Sequence, residues 1–363
     1  GLSLFIGGAI VTQWNQAFPD HSGPFGLVGW QAAFLAVGIP GLLLALWVST
    51  LREPIRGLID GVPTAPSATP FKAFGEELIA VIPPFTLIGA LRRGPVAFAI
   101  NMTVAAVAAA VAWQLYRLTG DGKQWGAIGL GAYAIFSWAT TLRERDPPAF
   151  ELIWKTPAFL SVVLGYGLIA FIGYSVSAFS PAYAIRTFGA DPQMAGFLIG
   201  GAGAAGGAIG VILGGWIADR LRRTNPAGRL VVVLVGSIGP LIPFVLAFTT
   251  KSEIVYYAVQ LPMTILSSSA LGASAATIVD LVLPRMRATA TAAFFIGTTL
   301  VGLSLGPYSA GKISTITGDL ATGMLSLLAV APISIGALLI AYRTVPKAAA
   351  TVLERARAAG EPV

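Results

Sequence analysis

Side chains able to do chemistry are few in these 363 residues, and their types point to binding rather than bond-making. With no cysteine and a single histidine, His21, there is no thiol nucleophile and no Cys/His metal centre; neither a metal nor a cofactor is expected. Acid–base catalysis needs carboxylates or imidazoles converging on one pocket. Asp20-His21 is one lone pair, and Glu144, Asp146 and Glu151 crowd a charged stretch beside Pro147-Pro148 without a repeat spacing. An enzyme is therefore not expected. What remains is ionic contact and hydrogen bonding. Gly214-Gly215-Trp-Ile-Ala-Asp219-Arg220-Leu-Arg222-Arg223 places one carboxylate and three guanidiniums directly after a long Gly/Ala-rich apolar run. Asp280, Arg285 and Arg287 set a second mixed cluster between two later apolar runs. Polar groups also recur inside apolar runs. Gln260, Thr264 and Ser267 follow i, i+4, i+7 and share a helix face, with Tyr256 one turn earlier; Tyr166 and Tyr174 lie eight apart on nearly one face. Such faces turn toward a bundle interior and make a candidate solute path.

The elements that must position these groups are membrane spans. Apolar residues make up 55% of the chain and charged residues 11%, where a soluble domain carries roughly a quarter charged. Ten apolar segments approach spanning length: 1–14, 30–51, 96–118, 125–142, 158–179, 194–218, 230–249, 254–281, 290–313 and 322–342. The connections between them carry the Lys and Arg unequally. If the loop after the second segment is cytoplasmic, eighteen of the 23 cationic residues lie inside. The net charge of +7 is thus spread over loops, and nucleic acid is not an expected partner; the lipid bilayer is. Residues 57–94 read as a cytoplasmic linker, Pro/Gly-rich at first, then an interfacial helix interrupted by Pro83-Pro84. The tail after residue 346 reads as a short amphipathic helix with a solvated, cytoplasmic end. Asp219 would end its helix at the negative pole of the dipole, an unfavourable place unless it is partnered. Asp280 is expected to pair with Arg285 or Arg287.

The Gly-Gly-x-Ile-Ala-Asp-Arg-Leu-x-Arg run resembles the short-loop signature of the major facilitator superfamily of secondary transporters. Three further stretches are similar to that family, and to its spinster-like branch in particular. Gly29-Trp30-Gln31 through Pro40-Gly41 to Arg52-Glu53-Pro54 resembles the sixth helix. Ser180-Pro181-Ala182-Tyr183 resembles the outer end of the seventh. Pro284-Arg285-Met286-Arg287 leading to Gly306-Pro307 resembles the eleventh, although Thr315 stands where the family often closes this motif with Asp.

The resemblance implies an all-α polytopic bundle with ten spans. Residues 1–56 would be a remnant of the N-terminal half, its fifth and sixth helices. Residues 95–150 would be an inserted helix pair, 151–345 a complete C-terminal six-helix half, and 346–363 the tail. The chain opens at Gly1 inside an apolar run, so it reads as a fragment of a fourteen-helix parent, unable to transport by itself. The resemblance also implies alternating-access export of an amphipathic, lipid-like small molecule across a bacterial inner membrane. A proton would be the coupling ion, with its acid outside these residues; drug or organic-anion transport is the alternative. Gly214, Gly215, Asp219, Arg220, Arg222 and Arg287 would form the gate, and Tyr166, Tyr174, Tyr256, Gln260, Thr264 and Ser267 the substrate path.

Overall fold

The computed structural model describes residues 2–20, 23–52 and 69–362, and within them regular structure is helical throughout. His21, Arg56 and the first part of the linker lie outside the described residues. Two helices open the chain, α1 (Leu2–Ala17) and α2 (Gly29–Ser49). A bracket of α3 (Pro70–Val81) and α4 (Phe85–Arg93) follows, then a hairpin of α5 (Pro95–Thr119) and α6 (Gly122–Arg145), and the short α7 (Pro147–Trp154). The main bundle comprises α8 (Pro157–Phe188), α9 (Pro192–Arg222), α10 (Gly228–Ile238), α11 (Leu241–Thr249), α12 (Glu253–Val279), α13 (Arg287–Thr298), α14 (Gly306–Thr317), α15 (Leu320–Leu325) and α16 (Ala331–Ala350). The tail helix α17 (Val352–Ala358) closes the chain.

Local sequence sets the helix limits. Asp191 caps α9 by accepting from the Met194 N–H at 2.8 Å, with Pro192 in the first turn. The 32-residue α8 starts at Pro157 and stops at Gly189, whose φ of 68° suits the left-handed C-terminal turn. It runs past the expected end at residue 179, because Pro181 is accommodated inside the helix. The run at 230–249 breaks at Gly239-Pro240 into α10 and α11. The run at 290–313 contains a π-turn at Thr299–Leu303 before α14 restarts at Gly306-Pro307.

By length and apolarity, eight helices or collinear helix pairs among the described residues can cross a membrane, and the bent α3–α4 pair would make nine. Neither α1 nor α6 meets that measure. The interfacial segment is two helices rather than one, bent by 102° where Pro83-Pro84 interrupts the run. A larger correction concerns the tail. It is docked instead of solvated: Val352 and Ala356 are buried, α17 packs against α7, and Arg355 Nη1 donates to Thr156 Oγ1 at 2.6 Å.

Two buried clusters hold the bundle. One, around Phe159, Phe294, Ile278, Met286 and Leu338, joins α7, α8, α12, α13, α16 and α17. The other, around Tyr183, Phe244, Phe248 and Tyr256, lies toward the far end of α8 and α12. By contrast, α2 and α5 expose large apolar side chains all round, as lipid-facing helices do.

Candidate functional site

The charged motif folds into a hub at the end of the bundle that holds most of the basic residues. Arg229 is its centre. Its Nε and Nη2 donate to Asp219 Oδ1 at 3.0 and 2.9 Å, and its Nη1 donates to Asp280 Oδ2 at 2.5 Å. Arg222 Nη2 reaches the same Asp280 oxygen at 2.9 Å, while its Nη1 donates to Pro226 O. Gly228 makes this geometry possible. It begins α10 hard against the Leu221 backbone, where a Cβ would collide with the Leu221 carbonyl, so Arg229 turns back toward the end of α9.

Each of the three bridged groups sits at the wrong end of its own helix. Asp219 lies in the last turns of α9, Asp280 caps the C-terminus of α12, and Arg229 stands in the first turn of α10. Helix dipoles disfavour all three alone, and pairing converts them into mutual partners. No water-sized space remains inside the hub.

Two expectations change here. Asp280 pairs with Arg222 and Arg229, not with Arg285 or Arg287. Arg285 instead bridges Asp146 at 2.6 Å and Glu361 of the tail. Burial pushes the Asp146 carboxyl up, but the Arg285 guanidinium and the Ala149 N–H pull it down further, leaving it below the ordinary range. Arg220 is exposed and lies over the Trp216 ring, 6.0 Å from its centroid. Arg287 is half-buried where α13 begins. Sequence reasoning missed Arg229, which it counted only among the basic loop residues.

Above the hub, the glycines of α9 divide between two faces. Gly206, Gly210 and Gly214, four residues apart, press on α12; a Cβ on Gly214 would lie 2.6 Å from Ser269 Cα, and one on Gly210 would strike the Ile265 carbonyl. Gly201, Gly207 and Gly215 face open space. The stripe therefore seals α9 to α12, and Gly215 has no part in that contact.

Further along the same helices lies a cavity of about 440 Å³, walled by α8, α9, α10, α11, α12 and α16. Tyr166, Tyr174, Gln260, Thr264 and Ser267 all line it. Tyr256 does not: it is fully buried in the second cluster, tilted against Tyr183 and Phe188, with its hydroxyl donated to Ser180 O at 2.8 Å. Four of the eight hydroxyls in the wall are already engaged. Thr264 donates to Gln260 O, Ser267 to Thr264 O, and Ser237 and Ser334 meet at 3.1 Å. Ser237 and Ser334 are lining residues that sequence reasoning had not singled out. Their signal, serines in apolar runs, is too common to have selected them. Val211 and Asp219 are eight residues apart on α9, so the cavity floor stands roughly 12 Å from the hub.

The opposite end of the bundle carries a second ionic contact. Lys312 Nζ lies 2.7 Å from Asp121 Oδ2 and donates to Thr119 O, and the Tyr308 hydroxyl donates to the same carboxylate at 2.8 Å. Lys312, then Tyr308, holds the Asp121 carboxyl below its ordinary range. This contact, with Gln124 donating to Ser304 O, fastens the α5–α6 hairpin to α14 and the π-turn.

The chain is 33% identical over 220 residues to an MFS-type efflux pump of Mycolicibacterium smegmatis, covering 57% of this chain and 51% of that one. It is 28% identical over 197 residues to the spinster homolog 1 protein of Xenopus tropicalis, covering 47% and 37% respectively. It therefore spans about half or less of the length of these relatives. A solved bacterial homolog of the human lysosomal transporter spinster, inward-facing and unoccupied, shares the fold with a TM-score of 0.53 at 20% identity, over 98% of this chain and 68% of that one. The family model described as Major Facilitator Superfamily matches residues 1–307, and the chain, an integral membrane protein, belongs to that superfamily.

Proposed function

We propose that the protein is a secondary active transporter that works by alternating access, exporting an amphipathic small molecule through the cavity in exchange for protons. One observation carries this reading: α9, α10 and α12, which wall the cavity, are the helices whose ends the Asp219–Arg229–Asp280–Arg222 hub ties together. Ion pairs at helix ends break and re-form cheaply when helices rock, and a cavity between those helices then opens to one side. Apolar walls with a few hydroxyls suit a molecule that is mostly hydrocarbon. The basic end, with the hub and the C-terminus, faces the cytoplasm of a bacterial cell. Ten spans follow if α1 and α6 also cross. For α6 the support is its contacts at both ends, Asp121 with Lys312 at one and Trp138 against Trp154 at the other. The efflux-pump relative supports a second reading, export of drugs or organic anions.

The test is flux in vesicles carrying the protein expressed from its native reading frame. Uptake of an amphipathic dye is expected to need an imposed pH gradient and to fall at least tenfold with Arg229→Ala. Flux equal to that of empty vesicles overturns the proposal.

A further inference from the structure

Among the described residues of the cavity wall, one buried polar atom is left without a hydrogen-bond partner. Gln260 is 2% exposed and lines the cavity, yet its amide nitrogen has no hydrogen-bond partner. The amide lies beside the Tyr256 hydroxyl, which donates to Ser180 O, but the amide nitrogen makes no hydrogen bond of acceptable geometry to the hydroxyl oxygen. A buried carboxamide without partners is unfavourable, and such a group in a cavity wall marks a place where a ligand completes the bonding. The second observation is electrical: among the described residues, no Asp, Glu, Lys, Arg or His lines the cavity. A charged ligand group placed there would be desolvated with no counter-charge.

We infer that this cavity binds an uncharged amphiphile, a hydrocarbon body bearing a hydroxyl or carbonyl group that bonds the Gln260 carboxamide. The inference rests on the cavity being the solute path proposed above. A carboxamide both donates and accepts, so a hydroxyl satisfies either half of it. Nearby hydroxyls of Thr264 and Ser267 are already donated to backbone carbonyls, and Gln260 carries the buried unpartnered donor of the wall.

Native mass spectrometry of the full chain, released from detergent micelles, tests this with three probes of one chain length: decanol, decylammonium and decyl phosphate. Decanol is expected to bind one-to-one, at least tenfold more tightly than either ion. Gln260→Leu should weaken decanol about tenfold. Gln260→Glu should reverse the order in favour of decylammonium, a change that misfolding does not produce. Gly207→Phe fills the cavity from a position where a side chain meets nothing within 4 Å, and should abolish binding. If either ion binds as tightly as decanol and Gly207→Phe still blocks it, the neutral-ligand inference falls while the cavity reading stands. If Gly207→Phe changes nothing for any probe, the cavity reading falls, and the inference with it.

Discussion

Arg229 offers the sharpest perturbation, because the structure gives it and the motif aspartate very different weights. The Asp219 side chain is 63% exposed, whereas Asp280 is 28% and Arg229 19% exposed. An exposed pair is worth about 0.2–1 kcal/mol, and a charge-assisted bond to a half-buried group about 1.5–3 kcal/mol. Replacing Arg229 with Ala loses both legs and strands the Asp219 carboxylate at a helix C-terminus, at about 0.3–1 kcal/mol. Arg222 still compensates Asp280, and α10 is relieved of a cation at its N-terminus by a similar amount. The net expectation for Arg229→Ala is about 2–3 kcal/mol of destabilisation. Asp219→Asn loses only the exposed leg and removes a carboxylate from the wrong end of α9, so its effect should stay within about 0.5 kcal/mol. Unfolding of the purified variants in mixed detergent micelles, monitored through the native tryptophans, gives both numbers. If Asp219→Asn costs as much as Arg229→Ala, the assignment of Arg229 as the centre of the hub is wrong.

Three other outcomes follow from the geometry. Gly214→Ala forces α9 off the Ser269 backbone and should cost about 1–3 kcal/mol, whereas Gly215→Ala, facing open space, should be neutral or stabilising by up to about 1 kcal/mol in the same unfolding assay. Tyr256→Phe should lower stability by about 1 kcal/mol through the lost hydrogen bond to Ser180 O while leaving decanol binding unchanged, because Tyr256 stands outside the cavity wall. The Asp121 carboxyl is held below its ordinary range, so its contact with Lys312 contributes fully above that range and is lost only as pH falls through the depressed folded value. The protection factors of amides 119–124, corrected for intrinsic exchange, should therefore be flat from pH 8 to about pH 5, and Lys312→Met should remove the protection across that window.

Fold class was legible because apolar run length and loop charge are properties of short stretches of chain. The charged motif was legible as a helix end for the same reason. Its partner was not, since Arg229 meets Asp219 only after the chain reverses at Gly228, and no periodicity records a tertiary turn. Placing Tyr256 on the solute path followed from its i, i+4 relation to Gln260. Face alone does not give depth, and one turn further along α12 the wall is the aromatic cluster of Tyr183, Phe188 and Phe248. The tail misled for a related reason. A short amphipathic stretch at a terminus carries no mark of the surface it docks on, here α7 and the Arg285 bridge to Asp146 and Glu361.

The proposed alternating access requires the hub to hold shut the basic-end mouth of the cavity. The chain has no cysteine, so Ser267→Cys in the cavity wall is a unique reporter. Its labelling rate by a membrane-impermeant maleimide, applied from the side of the basic end in oriented vesicles, measures that mouth directly. With the hub intact, labelling should be slow, and adding Arg229→Ala should accelerate it about tenfold or more, as a shift of at least 1.4 kcal/mol in a two-state equilibrium requires. Equal rates with and without Arg229 would contradict the account.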